Sequence, residues 1–395
     1  MFGVHRSGTS KAAEPTDIGP SRRNVLGTTI LGAAGLAIGA RTLGASSAHA
    51  ATANAAGARA AAGLRVAADD VTHVRTWMAW PTKSTIWGRQ LSGIQNDIAL
   101  IARTIARFEP VIMCAPDTSS ASAARGKCGP AVTVISSIPV DDLWARDTAP
   151  VFRTDGSGGR DAVGLGFNGW GNKQTHAKDA LVASRIAAYD RLAFTRAGFV
   201  GEGGAIETDG DGTVMATESS LVNANRNPGK SRAQVEQAVL AAYGATKMLW
   251  VPGIKGQDIT DDHIDATSRF IRPGVVMVQV PPADRTDIWA QDARKQLQIL
   301  SAATDARGRR LQVIRIDGPD TPRSNNPDFV DSYVNFHVCN GGVVMSQFGD
   351  RTKDAAARQV VAAAYPGREV VQLDTDRVGA GGGGIHCTTM QEPVA

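Results

Sequence analysis

The apolar positions after about residue 70 follow a repeating order. Ala-rich segments, whose apolar residues recur at mixed spacings of three and four, predict helices with one buried face. A short apolar run that predicts a strand follows each of them. The predicted helices are Leu91–Arg107, Lys178–Tyr189, Arg232–Tyr243, Ile288–Ala303 and Lys353–Tyr365. The predicted strands are Val111–Cys114, Leu192–Phe194, Met248–Val251, Leu311–Ile316 and Val370–Leu373.

A second strand repeats almost literally along the chain. It occurs as Gly212–Met215, Gly274–Met277 and Gly342–Met345, with glycines 62 and 68 residues apart. Repeats of about this period are typical of stacked or radial arrays. We therefore predict an α/β fold, a five-bladed β/α propeller with pseudo-fivefold repeats around a central site. A doubly wound sheet alternates the same elements and is the alternative.

The first 50 residues have a different character. Arg22 and Arg23 precede an uncharged run over residues 24–40, and Ala48-His49-Ala50 provides small residues for cleavage. This pattern predicts a twin-arginine export signal over residues 1–50 and a secreted or periplasmic protein. A membrane anchor is less favoured, because the run is shorter than the roughly 20 apolar residues of a spanning helix. We predict an Ala-rich disordered lead-in over residues 51–68, a catalytic domain over 69–395, and no membrane association of the mature form.

Charge and ligand spacing exclude several classes of protein. The formal net charge is +4, but residues 1–50 hold five Lys/Arg against two Asp/Glu, so the remaining chain is close to neutral. A near-neutral body without a basic run argues against a nucleic-acid partner. The histidines His73, His176, His337 and His386 are scattered, so we predict no metal site. Cys114–Cys128 is the only cysteine pair considered for a disulfide, and it stays open.

Two short motifs suggest cofactors but fail in context. Gly379–Gly384 fits the spacing of a dinucleotide-binding loop, yet the chain ends too soon for the helix that must follow it. Asp209–Gly212 resembles the start of a calcium loop but lacks the later glycine and glutamate. We predict a hairpin turn there instead.

Polar or reactive groups lie in the loop after the post-helix strand of every unit. These loops contain Trp144–Asp147, Gly201–Gly204, Asp261–Asp265, Tyr333–Asn335 and Gly381–Cys387. Their equivalent positions predict one central site. Cys387 follows four glycines, which permit close approach of the backbone to a ligand, and is the predicted nucleophile. Cys339 lies in an apolar stretch and is predicted to be a buried core residue.

His263 and Asp265 are two residues apart in the third of these loops. Side chains at this spacing on a strand point to the same side of a sheet. We therefore predict that they face the site together. The flanking acidic residues and the repeat context favour a functional His263 over a core histidine.

These segments carry a family resemblance. The chain resembles the agmatine deiminase and bacterial-type peptidylarginine deiminase family of the guanidino-group-modifying superfamily, whose fold is a five-bladed β/α propeller. The resemblance covers about residue 75 to the end. It rests on residues 144–150, 166–171, 202–204, 223–228, 263–265, 272–274, 333–336, 347–350 and 383–387.

The resemblance implies a reaction and roles for individual residues. Cys387 matches the thiolate that attacks a guanidinium carbon, and His263 matches the acid that protonates ammonia and then activates water. Asp147 and Asp265 match the paired carboxylates that bind the guanidinium. No metal or organic cofactor is implied. Trp144, Glu202 and Asn335 are further candidates for substrate binding. For Trp144, core packing is the alternative. Glu202 and Asn335 are also candidates for a supporting role behind the catalytic groups.

The reaction class is better defined than the substrate. The segment Phe167–Gly171 resembles the agmatine-type version, and no arginine lies between Arg160 and Arg185 to bind a terminal carboxylate. The export signal argues for peptidylarginine instead. So does Asp261-Asp262, where agmatine enzymes usually have Asn-Gly. We expect agmatine or a similar small guanidine, with a secreted peptidylarginine deiminase, an inactive guanidine-binding propeller and an amidinotransferase as alternatives. The oligomeric state is left open.

Overall fold

A computed structural model describes residues 63–326 and 329–395. The predicted export signal and residues 51–62 of the predicted lead-in lie outside the described residues. The end of that lead-in was wrongly predicted to be disordered, because Arg65 and Val66 form a strand paired with Thr154 and Arg153. A strand of two residues in an Ala-rich segment has no alternation that a sequence pattern can reveal.

Six α-helices of eight or more residues occur in the described chain. They are α1 Leu91–Ile105, α2 Thr118–Cys128, α3 Val182–Tyr189, α4 Arg232–Tyr243, α5 Ile288–Ala302 and α6 Arg351–Ala364. The side chains of Asp117, Ser231, Asp287 and Asp350 accept hydrogen bonds from the first turns of α2, α4, α5 and α6. Such caps satisfy amide groups that have no partner within the helix, and so define where each helix begins. All five predicted helices are present, although the first part of Lys178–Tyr189 is the 3₁₀ turn Asp179–Leu181.

The strands form five separate sheets. In chain order the strands are β1 Arg65–Val66, β2 His73–Ala79, β3 Val111–Cys114, β4 Val132–Ile135, β5 Val151–Thr154, β6 Arg160–Gly164, β7 Ala193–Arg196, β8 Ile206–Thr208, β9 Thr213–Thr217, β10 Lys247–Val251, β11 Ser268–Arg272, β12 Val275–Val280, β13 Gln312–Asp317, β14 His337–Cys339, β15 Gly342–Ser346, β16 Glu369–Leu373 and β17 Thr389–Pro393. Their orders within the sheets are β17-β2-β3-β4, β1-β5-β6-β7, β10-β9-β8, β11-β12-β13 and β14-β15-β16.

Every sheet contains the same motif of an antiparallel pair, a helix and a parallel third strand. In one unit β8 pairs antiparallel with β9, α4 follows, and β10 then pairs parallel with β9. The turn between β8 and β9 is the predicted hairpin over residues 209–212. The five predicted units are thus confirmed, and the alternative of one continuous doubly wound sheet is wrong. The radial arrangement of the units stays a prediction at this point.

One sheet pairs the last strand of the described chain with a strand near its start. Strand β17 pairs antiparallel with β2, and the indole Nε1 of Trp77 in β2 donates to Glu392 in β17 at 3.0 Å. Since Cys387 lies just before β17, this pairing fixes the position of the predicted nucleophile. It also brings the residues just before β2 close to the residues that follow Cys387.

The core consists of the apolar faces of the helices and both sides of the sheets. In α1 the residues Ile94, Ile98, Ile101 and Ile105 have no exposed surface and recur at intervals of four and three. Burial of such a side chain contributes about 1.5–3 kcal/mol. None of the helices described in residues 63–326 and 329–395 has the length and apolar character needed to cross a membrane.

The cysteine pair considered for a disulfide is not bonded. Cys114 and Cys128 are both buried free thiols. They belong to different apolar clusters, Cys114 beside Trp77 and Ile112, and Cys128 beside Ile98. Each side chain therefore has its own packing environment instead of a sulfur partner.

Candidate active site

The predicted nucleophile lies on a tight turn that only glycines permit. Cys387 is in the 3₁₀ turn His386–Thr388. A methyl group added at Gly383 would lie 2.4 Å from the ring of Trp144, and one added at Gly384 would lie 2.4 Å from Oδ1 of Asn335. Neither gap admits a carbon atom, so the glycines before Cys387 let the chain pass between these side chains.

The thiol of Cys387 has polar neighbours although only 6% of the residue is exposed. Nδ2 of Asn335 donates to Sγ at 3.2 Å, and the backbone N–H of Cys387 donates to Oδ1 of Asn335 at 3.3 Å. A donor directed at the sulfur favours the thiolate over the thiol. Asn335 therefore contacts the sulfur of the predicted nucleophile, a contact that the sequence did not predict.

Asp265 provides a carboxylate next to the sulfur. Its Oδ2 lies 3.5 Å from Sγ of Cys387 and accepts a hydrogen bond from Nδ1 of His386 at 2.8 Å. Burial raises the pKa of this carboxyl, but His386, His263 and Arg269 outweigh burial and lower it to about 2. The other oxygen, Oδ1, is buried and has no hydrogen-bond partner among the described residues. A buried acceptor of this kind is costly unless a ligand satisfies it.

Asp147 is held by a strained part of the segment Phe167–Gly171, a role that the sequence analysis did not predict for this segment. Its Oδ2 accepts from the indole Nε1 of Trp170 at 2.9 Å, and its Oδ1 from the backbone N–H of Gly204 at 3.1 Å. Trp170 is fully buried with a φ of +55°, between Gly169 and Gly171, which also have positive φ. Left-handed backbone in a bulky residue is rare and recurs at functional sites. The only sequence signal was a tryptophan flanked by glycines.

His263 lies between two carboxylates. Its Nε2 is 3.3 Å from Oε2 of Glu202, and its Nδ1 is 3.8 Å from Oδ1 of Asp147. Burial lowers the pKa of the imidazole, but Asp147, Glu202 and Asp265 outweigh burial and raise it above its ordinary value. His263 therefore holds its proton to higher pH than a free imidazole, as a general acid requires.

The prediction that His263 and Asp265 share one side of a strand is wrong. Residues Ile264–Ala266 form a 3₁₀ turn, and Asp261 and Asp262 before it have φ values of +60° and +68°. Two consecutive left-handed residues turn the chain out of an extended path. Asn-Gly adopts this backbone readily. Here Asp261 is anchored instead, since its Oδ2 accepts from Nη1 of Arg226 at 2.7 Å and from Nζ of Lys173 at 2.8 Å.

Two of the weaker candidates lie behind the site. Glu202 is fully buried and binds Nε of Arg226 at 2.8 Å, so its carboxylate supports His263. Trp144 is 1% exposed, donates from Nε1 to Asp142 at 3.0 Å and packs against Gly383. Of the two interpretations of Trp144, substrate binding and core packing, the structure supports core packing.

A cavity of about 260 Å³ opens over the thiol. It is lined by the site residues His263, Asp265, Asn335 and Cys387, and also by Trp289, Arg285, Asp258, Asp262, Asp292 and Asp331. Arg285 is paired with Asp287 at 2.9 Å and with Asp331 at 3.8 Å. Of this second group the sequence analysis named only Asp262, because Arg285, Trp289, Asp292 and Asp331 belong to the fourth unit, far along the chain from Phe167–Gly171.

The structure also brings together histidines that are far apart along the chain. Nδ1 of His73 lies 3.2 Å from Oε2 of Glu109, and Nε2 of His337 lies 2.9 Å from Oγ1 of Thr76. A second group consists of Asp69, Glu207 and His386. The ligand atoms in each group lie close enough together to hold a metal ion. That the protein needs no metal stays a prediction.

Comparison with known proteins agrees with this geometry. Residues 65–393 match the model of the Porphyromonas-type peptidyl-arginine deiminase family. A Streptomyces coelicolor protein is 39% identical over 341 residues, which cover 83% of this chain and 98% of that protein. Agmatine deiminase of Pseudomonas aeruginosa is 35% identical over 355 residues, covering 84% and 96%. The structure of agmatine deiminase from Enterococcus faecalis matches with a TM-score of 0.80 at 29% identity, over 85% of this chain and 97% of that one.

The fold, the site and these matches together define a hydrolase that acts on the C–N bonds of amidines. The chain belongs to the agmatine deiminase and Porphyromonas-type peptidylarginine deiminase family. The resemblance noted in the sequence motifs is thereby confirmed. Deimination of a guanidino group is the reaction of this family.

Proposed function

We propose that the protein hydrolyses agmatine to N-carbamoylputrescine and ammonia through a covalent intermediate on Cys387. The observation that carries this proposal is the carboxylate of Asp265, whose buried Oδ1 has no partner and whose Oδ2 lies 3.5 Å from Sγ of Cys387. A planar guanidinium that donates to this carboxylate would bring its carbon next to the sulfur. Asp147 brings a second carboxylate to the same region, because atoms of Asp147, His263 and Asp265 all lie within 3.0 Å of a Cβ built at Gly204.

The residues fit a reaction in two stages. The thiolate of Cys387 forms a C–S bond to the guanidinium carbon, and the C–N bond to a terminal amino group breaks as His263 gives that nitrogen a proton. Ammonia leaves, and a thiouronium remains on the sulfur. Water then attacks the same carbon while His263 takes its proton, the C–S bond breaks, and the sulfur leaves as thiolate.

The charges around the cavity favour a substrate without a carboxylate. Agmatine is a guanidinium with a distant ammonium, and four aspartates besides Asp265 line the cavity. Two arginines that could be considered as partners for a substrate carboxylate, Arg226 and Arg153, are already paired with acidic residues of the protein. Arg226 is bound to Glu202 and Asp261, and Arg153 to Asp161 at 2.9 Å. An unpaired carboxylate in an enclosed site costs several kcal/mol as an order of magnitude.

A second candidate is a secreted peptidylarginine deiminase. Its support is Arg285, a half-exposed cation on the cavity wall, together with the match to a peptidyl-arginine deiminase family model. Against it, Arg285 is already paired with Asp287 and Asp331.

Ammonia release separates the two candidates. Agmatine, free arginine and a peptide ending in arginine are compared at matched concentrations, with Cys387→Ser as the blank. We expect agmatine to exceed the others by roughly a hundredfold or more in kcat/KM. Arg285→Gln should leave the rate with agmatine nearly unchanged. If the peptide is the best substrate and Arg285→Gln removes that preference, the peptidylarginine candidate is correct.

We also propose that the five sheets are the blades of a five-bladed β/α propeller. Support comes from the site, to which each unit contributes one side chain: Asp147, Glu202, His263, Asn335 and Cys387. Loops from five sheets meet at one point when the sheets are arranged radially. An experimental structure should show the sheets around a pseudo-fivefold axis, and a linear stack would contradict this.

Export is a separate proposal that rests on residues 21–50. We propose transport by the twin-arginine pathway to the periplasm or medium. Replacing Arg22 and Arg23 by lysines should retain the protein inside the cell. Normal export of that variant would indicate another route.

A further inference from the structure

The segment just before β2 reaches the active site from behind. Asp69 lies in this segment, directly after the lead-in predicted over residues 51–68. Its Oδ2 is bound to Nη2 of Arg269 and lies 3.3 Å from Nε2 of His386, and its Oδ1 accepts from Nε2 of Gln391. Burial raises the pKa of Asp69, but Arg269 and His386 outweigh burial and hold it well below its usual range. Asp69 is therefore a carboxylate in direct contact with the imidazole next to Cys387.

His386 connects this carboxylate to the substrate side. The ring is 1% exposed, and its Nδ1 donates to Oδ2 of Asp265 at 2.8 Å. Its two nitrogen atoms thus face one carboxylate each, Asp69 on the inner side and Asp265 on the cavity side. Nδ1 makes a hydrogen bond, whereas Nε2 lies 3.3 Å from Asp69 without hydrogen-bond geometry, so Asp69 restricts the rotation of the ring by proximity and charge.

Asp265 depends on this ring for its own orientation. Among the described residues, the donors to its carboxylate are His386 and the thiol of Cys387. The thiol cannot orient the group that must bind a substrate during attack by that same sulfur. His386 is thus the fixed donor that determines where the unpartnered Oδ1 points.

We propose that Asp69 is a positioning residue for deimination: by fixing the imidazole of His386, it aims the carboxylate of Asp265 at the guanidinium beside the sulfur of Cys387. This inference rests on the roles proposed above for Asp265 and Cys387. It also assigns a function to the segment before β2, which completes the active site from the side opposite to the cavity.

The test measures how well a cation is held beside Cys387. Wild-type protein is inactivated in parallel by a chloroacetamidine, which has the planar amidinium of the substrate, and by neutral iodoacetamide. The ratio of the two alkylation rates reports the position of Asp265, and a general loss of folding does not change it selectively. Asp69→Asn keeps the shape of the side chain and removes its charge. Asp70→Asn makes the same change one residue along, outside this chain of contacts.

We expect Asp69→Asn to lower the ratio and kcat/KM by about 10- to 100-fold, the scale of a small misplacement at a reacting centre. Asp70→Asn should leave both unchanged, and Asp69→Glu should restore part of each. His386→Asn removes the contact with Asp69 from the other side. In that background Asp69→Asn should add little further loss, because residues that act through one contact are not additive.

The outcomes separate this proposal from the one on which it rests. If wild type shows no preference for the amidinium reagent at Cys387, the proposed catalytic site itself is wrong. If wild type shows the preference and Asp69→Asn keeps it, only the role of Asp69 is wrong. Equal slowing of both reagents, matched by a lower thermal unfolding temperature, would mean that Asp69 is merely structural. Should Asp69→Asn fail to fold, the ratio measured for His386→Asn decides: an unchanged ratio overturns the proposal.

Discussion

Two buried cysteines in this chain have opposite surroundings. Cys339 lies in strand β14, and its thiol donates to the carbonyl oxygen of Gly342 at 3.4 Å. Burial raises the pKa of that thiol. Cys387 lies on a turn after glycines, where the amide of Asn335 donates to its sulfur at 3.2 Å and the carboxylate of Asp265 is 3.5 Å away.

Burial and apolar packing do not distinguish the two. Both cysteines belong to the same apolar cluster, and their exposed fractions are 0% and 6%. The difference lies in what the backbone brings to the sulfur. A strand surrounds Cys339 with apolar side chains, whereas the turn at Cys387 collects polar groups from distant loops. Reactivity in this fold is therefore a property of the turn and its donors.

The largest contrast should come from exchanging each sulfur for oxygen. Cys387→Ser should lower kcat on the order of a thousandfold or more, because the hydroxyl is a poor nucleophile here. Cys339→Ser should keep most activity and lose about 1–3 kcal/mol of stability, since it buries a hydroxyl in the core. Ammonia release and urea unfolding measure the two effects. Equal loss of activity in both variants would show that the two cysteines do not differ in their contribution to catalysis.

The carboxylates around Cys387 should give the next largest effect. Asp265→Asn and Asp147→Asn each remove a charge that we propose binds the guanidinium, and each should lower kcat/KM by about 100-fold or more. Neither change should alter the core around Cys339. The check is steady-state kinetics alongside thermal unfolding. A variant that loses stability but retains kcat/KM would show that its carboxylate does not bind substrate.

A smaller effect concerns pH. Glu202 is one of the carboxylates that raise the pKa of His263. The raised pKa of His263 keeps its imidazole protonated to higher pH. Activity that needs the acid form should therefore fall only above the ordinary imidazole range. Glu202→Gln should lower that pKa and move the alkaline limb of the pH–rate profile to lower pH by about one unit. A limb that stays in place or moves upward would exclude His263 as the acid.

The smallest expected effect is that of metal removal. His73, Glu109 and His337 form a buried cluster in which both histidines lie within 4 Å of the carboxylate of Glu109. Prolonged dialysis against a chelator should leave ammonia release unchanged, as thiolate chemistry needs no metal. A loss of activity that zinc restores would show that the cluster, and not only the cysteine turn, supports the reaction.

The sequence predicted the elements well because each follows from local spacing. Helix α4 was predicted over its observed range, and the repeated Gly-Val-Val-Met runs are the central strands of their sheets. The distinction between Cys387 and Cys339 was also visible, since glycines precede one and apolar residues surround the other.

Residues that act through distant contacts were missed. His386 meets Asp265 across 121 positions, and Trp170 reaches Asp147 through a left-handed backbone that residue type does not favour. The strand predicted for His263 failed for a related reason, because Asp262 adopts a positive φ that Asp rarely adopts. Spacing along the chain gives secondary structure, but the partners of a side chain depend on how the five units come together.

The most direct measurement of the central claim is the mass of the enzyme stopped during turnover. Wild type and a Cys387→Ser variant are mixed with agmatine, quenched in acid and digested. We predict for wild type an adduct on the Cys387 peptide with the mass of agmatine less one ammonia, no adduct on the corresponding peptide of the variant, and none on the Cys339 peptide. Ammonia production without any adduct on Cys387, or an adduct on another cysteine, would contradict the account.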